Sequence, residues 1–229
     1  MASLSHAALP DASVDPKVAA FRAEIRAREI GPRYSGLAHF TFTSLTSLGA
    51  IGLAVSRVSA PSPAEWLTVP AAFLLANFVE YFGHKGPMHH SRSGLRLLFE
   101  RHTQQHHRFF TDRAMAYESS RDFKMVLFPP VMIVFFLGAV ATPIALALFA
   151  TLGRNVGWLF VATSVAYFLT YEWLHFTYHL PETTALGRTR VLAALRRHHT
   201  IHHDPTLMTR ANFNITFPIA DRLFGTLSR

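Results

Sequence analysis

Apolar residues gather in four runs, at roughly 37–58, 64–82, 124–152 and 155–178, with polar and basic segments between them. Each run is long enough to cross about 30 Å of hydrocarbon at about 1.5 Å per residue. The third is overlong and carries Pro129, Pro130 and Pro143, which predicts a tilted or kinked span, or two partial ones. Ahead of the first run, Asp15-Pro16 followed by Val18, Phe21 and Ile25 and closed by Gly31-Pro32 predicts one short amphipathic helix. Its expected place is the membrane surface. Residues 1–36 hold no apolar stretch of signal-peptide type. The pattern therefore predicts an all-α, polytopic membrane protein with about four transmembrane helices and a helical cap. An N-terminal segment, 1–36, precedes a membrane domain, 37–229.

Composition strengthens this reading. Half of the 229 residues are hydrophobic and only 16% are charged, against about 25% in soluble domains. With no cysteine in the chain, disulfides, thiolate metal sites and cysteine nucleophiles are excluded, and any metal must be held by nitrogen or oxygen. An even number of crossings puts both termini on one side. The connections on the far side are then Arg57 to Glu65 and Gly153 to Asn155, and of 22 Lys and Arg only Arg57 and Arg154 fall there. The remaining basic residues lie in the N-terminal segment, the 83–124 loop and the region after 180, which the positive-inside rule assigns to the cytoplasm. A basic face against anionic headgroups accounts for the net charge of +8 without a nucleic-acid partner.

Histidine carries the chemistry. Of 14 histidines, all but His6 and His39 fall in four clusters beside span ends on the predicted cytoplasmic side. They are His84 with His89 and His90; His102 with His106 and His107; His175 with His179; and His198 and His199 with His202 and His203. Residues four apart share a helix face, so His102 with His106, His175 with His179, and His199 with His203 can each chelate. Gly83, Gly86 and Pro87 interrupt the helix after the second span and let His84 and His89 converge. Adjacent residues such as His106 and His107 cannot aim at one point but can serve two neighbouring ions. The ten candidate ligands are His84, His89, His102, His106, His107, His175, His179, His199, His202 and His203, about five per ion. Zinc sites use three or four protein ligands, so this set suits a pair of redox metals. Imidazole also binds copper, nickel and zinc, and the donors alone do not select the metal.

His90 and His198, each beside a better-spaced histidine, read as outer partners or headgroup contacts. Glu80, four before His84, and Glu172, three before His175, could orient an imidazole, since a carboxylate near hydrocarbon needs a partner. Asp204 and Asp221 read as solvated turn residues, and His6 and His39 as solvated or hydrogen-bonded singletons. A metal transporter should line its spans with polar groups near the midplane, and these span centres are almost wholly apolar. A bis-histidine haem site would need ligands facing each other across spans. A non-catalytic zinc-binding membrane protein keeps the same ligands, and stands as the alternative of another class.

The order of the boxes resembles the fatty acid hydroxylase and sterol desaturase superfamily, over about residues 70–225. The closing segment Asn212-Phe-Asn-Ile-Thr-Phe-Pro-Ile-Ala-Asp-Arg-Leu-Phe-Gly-Thr226 is also similar to that family's, and makes Asn212 a further outer-partner candidate. The resemblance implies two iron ions on the ten histidines (zinc being an occupant of a purified form), O2 as co-substrate, a lipid substrate and an external electron donor such as ferredoxin or cytochrome b5. The step from His84 to His89, Leu127-Phe-Pro-Pro130 and the last box look most like ceramide fatty acyl 2-hydroxylases. Three residues separate His102 from His106 where that subfamily commonly has two, and no cytochrome b5 domain precedes the spans. Sterol and carotenoid hydroxylases or desaturases share similar boxes and stand as alternatives.

Overall fold

The computed structural model describes residues 14–229. The first 13 residues, His6 among them, lie outside the described residues. Helix α1 (Pro16–Glu29) is capped by the Asp15 side chain accepting from Lys17 N, with Pro16 in the first turn. Helix α2 (Gly36–Ser56) starts where the Ser35 hydroxyl accepts from Ala38 N. A Cβ on Gly36 would stand 1.7 Å from the Ser120 carbonyl oxygen, so only glycine admits that close approach. Helix α3 (Pro63–Met88) ends in a wide turn over His84–Met88 that absorbs Gly86 and Pro87. Helix α4 (96–109) bears the second histidine box. Then come α5 (Pro130–Thr151), α6 (Arg154–Tyr178), α7 (Arg190–His202) and the short α8 (Ile219–Leu223). Among the described residues the sole β feature is one bridge between Thr111 and Ala114.

Three helices, α2, α3 and α5, are both long and apolar enough to cross a membrane. The fourth expected span, α6, has 25 residues, a rise of about 37 Å, but does not match the others in apolarity. The reason lies in its position: α6 packs against α2, α3 and α5 at once and is buried along most of its length. A helix sheathed by protein can carry Ser164, Tyr167, Tyr171 and Glu172, because lipid does not touch them. Leu45 and Leu53 of α2 and Val131, Val134 and Leu146 of α5 stay exposed, as a lipid-facing surface requires. The third apolar run is one span and not two. Pro129-Pro130 separate it from the helical turn Phe123–Val126, and a widened turn over Phe136–Ala141 precedes Pro143, which has no N–H and would leave a carbonyl without a donor in a regular helix. At one end of the bundle Asn155 pairs both ways with the Ser59 backbone at 2.9 and 3.0 Å, which puts the connections bearing Arg57 and Arg154 together.

Helix α1 packs on protein: Phe21 and Ile25 lie against Ile30, Phe109, Phe110, Met125 and Val126. Arg22 is buried, donating to the carbonyls of Phe109 (2.8 Å) and Ala114 (2.6 Å) and to Glu118 (2.7 Å). Arg26 binds Asp122 through both carboxylate oxygens at 2.8 Å. The N-terminal segment is thus docked by charge-assisted bonds onto the chain that follows the second histidine box. Replacing Arg22 by alanine should remove these three bonds and destabilise the protein by about 2–3 kcal/mol, read as a lowered thermal midpoint in detergent, with Glu118 still held by Arg26.

Candidate metal centre

All ten candidate ligands are buried at the end of the bundle opposite Asn155. Their rings form two groups. Ligand nitrogens of His84, His89, His102, His107 and His202 lie within 4.8 Å of one another, as do those of His106, His175, His179 and His199. His203 joins the second group, its Nε2 standing 3.0 Å from His199 Nε2 and 3.2 Å from His106 Nε2. Five imidazoles face each point. The division corrects one pairing: His102 and His106 do not share a point, and their rings lie parallel with centroids 5.4 Å apart. The cause is local. Residues Glu100–His106 form a π-helical stretch, in which hydrogen bonds run i to i+5, so His102 aligns with His107, Nε2 to Nε2 at 3.0 Å. His106 turns to the other group, as adjacent residues must. His175 and His179 share a point as their spacing predicts, whereas His202 and His199 part to different ones.

Hydrogen bonds fix which nitrogen faces inward. His84, His106, His179, His202 and His203 each donate Nδ1–H to a carbonyl, of Phe213, Met125, Met115, Ala211 and Phe110 respectively. His89 Nδ1 reaches Thr103 Oγ1 at 3.1 Å, and that hydroxyl donates onward to Met88 O. With its proton on Nδ1, a neutral imidazole presents a bare lone pair at Nε2. His106 and His203 are both tethered in this way, yet their Nε2 atoms stand 3.2 Å apart. Two lone pairs at that distance repel unless a cation lies between them. Two nitrogens at about 2.1 Å from one ion and at right angles to each other are separated by about 3 Å, and the inward contacts of 2.8–3.2 Å match this. The residues present therefore fit a pair of metal ions.

Burial keeps the rings neutral. Desolvation, with neighbouring imidazoles adding to it, pushes His89 down to about 2 and holds His102, His107, His199 and His202 well below the ordinary histidine value. His106 is pushed down to about 4 by burial. At pH 7 these rings are neutral, the state in which imidazole binds a metal.

The expected outer partners fare differently. Glu80 touches no imidazole: its carboxylate accepts from Tyr167, from the Thr216 hydroxyl (2.6 Å) and from the backbone of Ile215 and Thr216. It fastens α3 to the closing segment, whose Phe213 carbonyl orients His84. Glu172 accepts from Phe128 N at 3.3 Å, and its other oxygen has no partner among the described residues. His90 is exposed. His198 sits outside both groups, its Nε2 2.9 Å from Asn214 O. Asn212, in the left-handed region at φ 58°, donates to the carbonyls of His198 and Ser228, bracing the last box without meeting a ring. Asp221 is not a solvated turn residue but fully buried, accepting from Phe213 N, Asn214 N and Thr226. Asp204 does cap a turn, accepting from Thr206. His39 is hydrogen-bonded, to Phe128 O and Tyr34. Thr103 escaped the sequence reading although it follows His102 directly, because its role depends on a wide turn no spacing rule foresees.

Two cavities adjoin the histidines. A chamber of about 40 Å3 borders His102, His106 and His175, and a larger apolar cavity of about 270 Å3 reaches His84 from inside the bundle. Leu98, Phe128, Met132 and Tyr171 line both.

A family profile described as "Fatty acid hydroxylase" matches residues 69–226, more than half of the chain. Comparison with curated proteins finds no match, and comparison with solved structures finds none either.

Replacing Thr103 by valine strips His89 of its acceptor and should weaken metal binding by roughly 10–100-fold. Titration of the purified protein against a competing chelator measures this, with Thr103→Ser keeping near-native affinity.

Proposed function

The chain belongs to the fatty acid hydroxylase family, and from that premise we propose that it is a membrane-bound, O2-dependent di-iron enzyme that hydroxylates the hydrocarbon chain of a lipid. The observation that carries this reading is that both five-histidine groups border a small chamber, while a long apolar cavity reaches His84 of the first. His84, His89, His102, His107 and His202 would hold one iron, and His106, His175, His179, His199 and His203 the other. Bound there, the metal pair supplies dioxygen activation and the oxidising power to break an unactivated C–H bond.

The chain's own residues do the rest. Carbonyl tethers on His84, His106, His179, His202 and His203, and the Thr103 hydroxyl on His89, hold six of the ten imidazoles in one tautomer and one orientation. The chamber of about 40 Å3 exceeds the roughly 10–15 Å3 that a water needs, so a diatomic gas has room beside His102, His106 and His175. That room favours an oxygenase over a closed zinc site with no catalytic role. Apolar walls keep water from the reacting carbon. Arg57 and Arg154 at the opposite end, with the other basic residues toward the histidine end, support a cytoplasmic metal centre, cytoplasmic termini and an acidic one-electron donor such as ferredoxin or cytochrome b5 docking there. Within the family, the His84 to His89 step and the Leu127–Pro130 run favour an acyl 2-hydroxylase over a sterol or carotenoid enzyme.

Two variants test the ligand sets separately. His107→Ala and His179→Ala should each lower hydroxylation more than about 100-fold, beyond the loss expected from an outer partner, and each should reduce bound iron. Lipid mass spectrometry of an expressing host should show acyl chains heavier by one oxygen, and Mössbauer spectra of the iron-loaded protein a coupled iron pair. Stoichiometric zinc without either signal would instead establish the non-catalytic alternative.

A further inference from the structure

The large cavity has a definite shape. Its wall on α3 is Ala72, Leu75, Ala76, Val79, Glu80, Gly83, His84 and Met88, a stripe at helical spacing that runs along one face. On α6 the wall is Phe160, Ser164, Tyr167, Phe168 and Tyr171, again one face. Helix α5 contributes residues from Met132 to Ile144 and runs the opposite way, so Ile144 lies at the end far from the histidines. Roughly twelve residues separate Ala72 from His84, a rise of about 18 Å, and Phe160 to Tyr171 rises about 16 Å. The cavity is therefore an elongated groove along the bundle axis. Its volume of about 270 Å3 is spread over that length.

The two ends differ. One opens on His84 and, past Leu98, Phe128, Met132 and Tyr171, on the chamber beside His102 and His106. The other is closed by Ala72, Ala141, Ala145 and Phe160, a buried cluster backed by Leu148 and Phe149. Alanine at three of its four positions sets the depth at which the walls meet, and the Phe160 ring is the one bulky element.

We infer that this alanine and phenylalanine floor is a chain-length stop, which selects an unbranched acyl chain by the number of carbons between the reacting carbon and the floor. The inference rests on the lipid-hydroxylase reading and adds to it a measure of substrate length. An extended chain advances at most about 3.6 Å per three bonds, so about 18 Å accommodates about fifteen carbons beyond the one presented to the metal centre. A longer chain would have to push apart the Ala72, Ala141 and Phe160 contact, and a shorter one would leave apolar wall unfilled.

The test compares the wild-type protein with Ala141→Leu, which raises the floor, and Phe160→Leu, which lowers it. Ile144→Phe, at a partly exposed lining position that tolerates bulk, serves as the second floor-raising variant should Ala141→Leu fold poorly. Each is expressed in a host supplied with fatty acids of graded length. Hydroxylated lipids are analysed by mass spectrometry, and lipids copurifying with the protein by native mass spectrometry, which needs no turnover. The floor-raising variants should favour shorter chains and Phe160→Leu longer ones. Each methylene that no longer fits should lower the relative kcat/KM roughly 10-fold or more.

Opposite shifts in product or in copurified acyl length support the stop. Unchanged length distributions in all three variants, with hydroxylation intact, overturn it while leaving the lipid-hydroxylase reading in place. Sterols or carotenoids as the hydroxylated or copurified species overturn it as well. If no lipid is hydroxylated by the wild type but copurified chain lengths still shift in opposite directions, the activity reading fails and the stop stands.

Discussion

Ten imidazole lone pairs are held face to face inside a protein, and the rest of the structure answers to that constraint. Brought together without a cation, such nitrogens repel, and burial denies them the protons that would otherwise relieve the contact. The arrangement is held by six of the ten rings, which are anchored from behind. Five donate to backbone carbonyls and one to Thr103. Those carbonyls come from four separate stretches of chain, at 110, 115, 125 and 211–213, so the centre is only as well placed as the segments that supply its acceptors.

Much of the polar structure around the centre serves those segments. Glu80 and Asp221 collect the backbone amides of residues 213–216 and hold the closing segment against α3, which sets the Phe213 carbonyl for His84. Arg22 seizes the carbonyls of Phe109 and Ala114, next to the Phe110 and Met115 carbonyls used by His203 and His179. Carboxylates and guanidinium groups here are positioning devices. Their burial is tolerable because each has several hydrogen-bond partners. Glu172 Oε2 has none among the described residues, and no partner in the structure accounts for it.

The join between metal centre and membrane follows from helix direction. Helices α3 and α6 run the same way and deliver His84 and His175 at their ends, while the faces leading to those histidines line the apolar cavity. One continuous surface thus changes from hydrocarbon-like to histidine-lined within a single helical turn, which is the geometry that the proposed hydroxylation of a lipid chain needs.

By itself the sequence determined the helical class, the apolar runs and the identity of the ten clustered imidazoles, because hydropathy and histidine spacing are local properties that survive in one dimension. It also foretold that adjacent His106 and His107 would face different points. Tertiary structure decided which five rings share a point, since His102 pairs with His107 only through a π-helical turn, and His203 and His202 part because α7 meets the two groups from one side. It decided as well that α1 docks on the chain after the second histidine box, that α6 lies sheathed at the bundle centre, and that Glu80 and Asp221 brace backbone amides. Each of those outcomes depends on a partner dozens of residues away, and spacing along a chain carries no information about such a partner until the chain has folded.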